Sequence, residues 1–238
     1  MSSSGAPTTE RRRLPVPRLT LVLAAVAVVL EVVGWSVRVT GAPPPVRDVL
    51  SMDHPLSIAR LYVAGLFAAA AVAAAVGAGH SPGRRTWWTA VALVTAGVSV
   101  VKAGGTVHVW FLHLFGGDAH PVRGLLVSAP LALGAVGWLW WLARHERRDR
   151  RVLRCLGAYA GASVGLSFCS SVAGELGGAL WGATATLVEE SGEALSGVAT
   201  LTAVLLGVAP RLVLPAGWPL RRTGDAAAQP EGVVTRHA

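Results

Sequence analysis

The chain has 238 residues, of which 53% are hydrophobic and only 14% charged. A soluble domain carries about 25% charged residues, so this composition argues against an ordinary soluble enzyme. The formal charge of +8 comes from 20 arginines and one lysine, Lys102. The arginines flank apolar blocks, which favours a role in membrane topology over nucleic-acid binding.

Residues 1–18 form a polar tail with Arg11, Arg12, Arg13 and Arg18. The apolar blocks that follow are long. Arg60 and Arg84 bracket 23 residues without a formal charge, and Gly124 to Ala143 and Cys155 to Gly174 add 20 each. About 20 apolar residues cross a bilayer as a helix. The sequence therefore predicts an all-α, polytopic membrane helical bundle. Its six transmembrane helices fall at about 19–39, 61–79, 87–115, 124–143, 153–178 and 183–209. The six-helix domain occupies 19–209, and 210–238 is a Pro-, Gly- and Arg-containing tail read as disordered. The arginines before Leu19 resemble a signal peptide with Ala42 at the cut. However, the apolar run continues past Glu31 and Pro43 would follow the cut, so the segment is read as an anchored first helix.

The arginine distribution sets the orientation. An inside N-terminus puts the N-tail, 80–86, 144–154 and the C-tail in the cytoplasm, with 4, 2, 6 and 4 arginines, or 16 of the 20. That asymmetry predicts N-in/C-in topology in a bacterial plasma membrane. Trp87, Trp88, Trp138, Trp140 and Trp141 are expected at the cytoplasmic interface, and Trp35, Trp110 and Trp181 at the outer one. Cys155 and Cys169 fall in one helix, about 21 Å apart at 1.5 Å per residue, so they cannot form a disulfide within it.

Charged groups inside a bilayer are costly and mark functional or paired positions. The last span carries Glu189, Glu190 and Glu193 on one side of a helix. The span before it has Ser163, Ser167, Ser171 and Glu175 at four-residue spacing, with Ser170 beside them. A turn centred at 181–182 would set Glu175 level with Glu189 and Glu190, Ser171 opposite Glu193 and Ser167 opposite Gly197. Span 3 adds Lys102, His108 and His113. Lys102 is expected to point inward and neutralise Glu193. Glu31 lies near mid-membrane without an evident partner. The loop after span 1 supplies Asp48, Asp53 and His54 as lid groups. Gly104-Gly105 and Gly177-Gly178 are read as packing or turn glycines, and no phosphate loop or HExxH, GxSxG or CxxC motif is present.

These residues predict a polar chamber near the outer leaflet lined by Lys102, His108, His113, Glu175, Glu189, Glu190, Glu193 and Ser171. It would bind or pass a small solute or protons. Two alternatives remain: a structural or accessory subunit whose polar groups only hold the bundle together, and an intramembrane metal-dependent hydrolase. A metal would fall to His108, Glu175, Glu189 and Glu190, but Lys102 beside them would repel a cation. The sequence leaves enzymatic activity open, with the balance leaning against it, and assigns no resident metal. The bilayer is the expected partner, nucleic acid is not, and the sequence specifies neither a cofactor nor a protein partner.

At these positions the chain resembles a family of uncharacterised bacterial six-helix, multi-pass membrane proteins. That pattern has Ser-x-Asp-Glu, four residues and His-Glu in span 3, Gly-Ala-x-x-x-Glu near the end of span 5, and Glu-Glu-x-x-Glu opening span 6. Here the matching stretches are Ser99 to Val109, Ala173-Gly174-Glu175 and Glu189-Glu190-Ser191-Gly192-Glu193. The likeness covers roughly residues 45–210. Where the pattern has three acids in span 3, this chain has Lys102, Ala103 and Val109, and only His108 is kept. The resemblance implies a divergent member in which an internal salt-bridge network stands where the family carries acids, and it brings no known activity.

Overall fold

The computed structural model describes residues 16–52, 54–104, 110, 113–114, 121–143 and 149–215. Every regular element among them is helical. In chain order these are α1 (Arg18–Val39), α2 (Pro44–Leu50), α3 (Ile58–His80), a 3-10 turn at Pro82–Arg84, α4 (Arg85–Lys102), α5 (Pro121–Ala143) and α6 (Asp149–Ala160). A π-helical turn (Gly161–Leu166), α7 (Ser167–Val208) and α8 (Pro210–Val213) follow.

Local chemistry sets the boundaries. Pro17 and Pro43 precede α1 and α2 in extended conformation, where a missing N–H costs nothing. Ser57 caps α3 by accepting the Arg60 N–H at 3.4 Å, as a serine does at a helix start. The double glycine after Lys102 stops α4: Gly104 adopts φ +90°, which a residue with a side chain rarely adopts. The third span was expected to run to 115. It stops as an α-helix at Lys102, and 105–109 lie outside the described residues.

Gly178 has a larger effect. Its φ of 80° and ψ of −174° break α7 into two arms, 167–177 and 179–208. The arms fold back on each other, because a Cβ built on Gly182 would lie 3.1 Å from the Gly174 Cα. Small residues at such a crossing let two helix backbones approach closely. Further along, Gly192 meets Ala162 and Leu166 of the π-helical turn.

Four stretches are long and apolar enough to cross a membrane: Arg18–Val39, Ile58–His80, Leu125–Ala143 and Asp149–Val208. The last is the 60-residue stretch that reverses at Gly178. α4 is not among the four.

The core lies where α3 packs along α4, and where α7 packs against α1, α3 and α6. Phe67 and Tyr159 meet edge to face, 4.7 Å between ring centroids, and Gly197 gives Phe67 room. Trp87 and Trp88 are buried among the helices, and Trp88 packs against Gly77 and Gly207. Trp138, Trp140 and Trp141 are exposed along α5. Polar side chains tie helices together: Thr20 to Thr202 at 2.9 Å, Tyr62 to the Leu23 carbonyl at 2.7 Å and Ser99 to the Ala64 carbonyl at 2.8 Å.

Candidate functional site

Five of the charged residues that the sequence places inside apolar helices, Glu31, Lys102, Glu189, Glu190 and Glu193, are buried near one another. Glu189, Glu190 and Glu193 are buried on the second arm of α7. Lys102, only 4% exposed, comes from the end of α4. Its ammonium donates to Glu190 Oε2 at 2.7 Å and also contacts Glu193. Both α7 carboxylates therefore hold one cation. The Lys102 carbonyl in turn accepts from Arg60 Nε at 3.3 Å, which fixes the first turn of α3 to the end of α4.

The fourth helix in this site is α1. Glu31 is 1% exposed and faces Glu190, Lys102, Glu193 and Arg60 electrostatically. Its Oε2 is buried without a hydrogen-bond partner. One turn further along α1, Gly34 supports the backbone that follows α2. A Cβ at Gly34 would come within 2.7 Å of the Met52 nitrogen and 2.9 Å of the Leu50 oxygen. Met52 is fully buried there, so this segment seats on α1 one turn from Glu31. Of the expected lid groups, His54 and Asp48 lie 3.8 Å apart and remain substantially exposed, and Asp53 lies outside the described residues.

Glu189 points to the other arm of the hairpin. Ser170 donates to Glu189 Oε2 at 2.6 Å and to the Ser167 carbonyl at 2.9 Å. Ser171, expected opposite Glu193, is instead exposed and bonds to its own helix, at the Ser167 carbonyl. Glu175, expected beside Glu189 and Glu190, is exposed as well. Both corrections have one cause. The chain turns at Gly178 and not at 181–182, which moves the facing register by about one to two helical turns. Glu175 thus falls level with the region around Trp181, near the turn. Ser170, not Ser171, reaches Glu189.

His113 is exposed and so outside the buried cluster. His108 lies outside the described residues. Among the described residues no three His, Cys, Asp or Glu side chains are grouped to hold a metal ion. The donor chemistry agrees, since an ammonium occupies the position between Glu190 and Glu193 that a bound cation would take. Glu31 and Arg60 were not assigned to the site by sequence reasoning. A usable signal existed: Glu31 is a mid-helix acid, and Lys102 is the only lysine in the chain.

A second buried ion pair joins other elements. Arg84, before α4, contacts Asp149 at the first turn of α6, and its guanidinium stacks over Trp88 at 5.2 Å. Asp149 is nearly inaccessible, whereas the Arg84 side chain is 29% exposed. No family model, curated protein or solved structure matches the chain.

Proposed function

We propose that this is a bacterial plasma-membrane protein with six membrane crossings and both termini in the cytoplasm. In this reading its outer half contains a Glu/Lys/Arg network that binds or passes a small solute or protons. The reversal at Gly178 makes Asp149–Val208 two crossings, and α4 is the remaining one. The kinship with six-helix membrane proteins carrying Glu-Glu-x-x-Glu in the last span belongs to the same proposal. The observation that carries the functional reading is Lys102 held between Glu190 and Glu193 with Glu31 buried beside them. Several charges kept in apolar helices each carry an insertion penalty of about 2.5–3.5 kcal/mol at a helix centre. Such residues face the bundle interior, pair with one another and mark ion or proton pathways.

Reconstitution into liposomes with an internal pH-sensitive dye tests this reading. Under an imposed potassium diffusion potential, vesicles with the protein should acidify faster than empty ones. Lys102→Met and Glu193→Gln should remove the difference. Equal rates in protein-containing and empty vesicles would contradict proton passage. Topology is tested separately: a cysteine placed at His120 should label from outside intact cells, and one at Arg148 should not.

One observation favours a second reading. The network joins α1, α3, α4 and α7, and Lys102 has two carboxylate partners. A structural clasp would have this form. It is selected if proton flux is absent while Lys102 and Glu193 remain strongly coupled in stability.

A further inference from the structure

We propose that Glu31 is the proton-binding group of this network, carrying one exchangeable proton. The proposal rests on the reading of the network as a proton site and names the group that does the binding.

The first argument is charge balance. Glu31 is faced from α7 by Glu190 and Glu193, from α4 by Lys102 and from α3 by Arg60. Around Glu31, three carboxylates thus meet two cations among the described residues, and Glu189, buried on the same arm and bonded to Ser170, adds a fourth carboxylate to the cluster. Even with Arg60 counted in full, negative charge is left over. In a low-dielectric interior an uncompensated charge is expensive, and uptake of a proton reduces it.

The second argument locates that proton. Lys102 contacts a carboxylate oxygen of both Glu190 and Glu193, so each of those two groups has a cation in contact. Glu31 Oε2 has no hydrogen-bond partner although Glu31 is almost fully buried. A buried carboxylate oxygen without a donor is the costly arrangement. A carboxylic acid O–H in the same place is a donor, and carboxylate acceptors face it from α7. Binding forms an O–H bond at a Glu31 oxygen. Release breaks that bond and passes the proton to a neighbouring carboxylate oxygen or to water, with no electron transferred. The Leu50–Met52 backbone seats on Gly34, one turn from Glu31.

Infrared spectroscopy of the full chain in lipid nanodiscs, with carbon-13 glutamate labelling, reads this directly. At neutral pH the wild type should show a carboxylic-acid carbonyl band that shifts with the label and shifts again on transfer to heavy water. Glu31→Gln should abolish the band, whereas Glu189→Gln should keep it. Glutamine has the shape of the neutral acid, so Glu31→Gln should also leave the unfolding temperature close to wild type. A labelled band that survives Glu31→Gln, or no such band in the wild type, overturns the proposal. Failure of the liposome assay is a separate result: it removes proton passage and leaves the band intact. Loss of the band with flux retained removes Glu31 as the carrier and leaves passage intact.

Discussion

Two ion-pair sites stand out among the described residues, and they differ in composition and burial. Arg84 and Asp149 form a pair between the turn before α4 and the start of α6. The arginine keeps part of its side chain in solvent and lies over Trp88. Lys102 is almost fully buried and serves Glu190 and Glu193, with Glu31 and Arg60 within electrostatic reach. The first joins two helix ends and leaves part of its cation exposed, as suits an anchor. The second is a network with more acids than bases among the described residues. An excess of buried acid calls for a proton or another ligand. That difference is why function is assigned to the Lys102 network and not to Arg84–Asp149.

The largest expected effect comes from Lys102→Met. It strands Glu190 and Glu193 beside each other, and breaking a buried pair from one side costs about 3–5 kcal/mol. Thermal unfolding in detergent should show a clear fall in unfolding temperature. A variant as stable as wild type would mean the two carboxylates have another counter-charge.

Arg84→Gln should cost less, about 1.5–3 kcal/mol, the usual range for a hydrogen bond to a charged group. Salt sharpens the contrast. Screening acts on partly exposed charges far more than on buried ones, so raising the salt concentration should shrink the Arg84→Gln effect and leave that of Lys102→Met unchanged. Equal salt sensitivity at the two sites would remove the distinction between anchor and network.

The smallest effect should be Ser170→Ala, about 1 kcal/mol for one lost hydrogen bond. Ser171→Ala should be silent by comparison, because Ser171 is exposed and bonds within its own helix. The reverse order, measured by the same unfolding assay, would restore the register with its turn at 181–182.

Much of this was legible in the sequence because apolar block length and charge position are local signals. Helices over 18–39, 58–80 and 121–143 follow from apolar runs bounded by proline, arginine and glycine. The inward lysine follows from the cost of leaving it unpaired. The hairpin register was not legible, because it depends on which of several small residues bends. Gly177, Gly178 and Gly182 are all candidates by composition, and only Gly178 takes the positive φ. That choice decided whether Glu175 or Ser170 would face the second arm. The burial of Trp88 was not legible either, because the glycines it packs against, Gly77 and Gly207, are far from each other in sequence. Glu31 lacked a partner in the sequence because its neighbours come from three other helices.

The account depends most on Lys102 being coupled to the α7 carboxylates, and a double-mutant cycle measures that coupling directly. Unfolding free energies of the wild type, Lys102→Met, Glu193→Gln and the double variant should be compared in one detergent. The two losses should be strongly non-additive, with an interaction energy of roughly 1–3 kcal/mol, the range seen for contacting charged residues. In that case the second substitution recovers much of what the first removed. Losses that add to within about 0.5 kcal/mol, as distant sites do, would show that Lys102 and Glu193 act independently and would contradict the network.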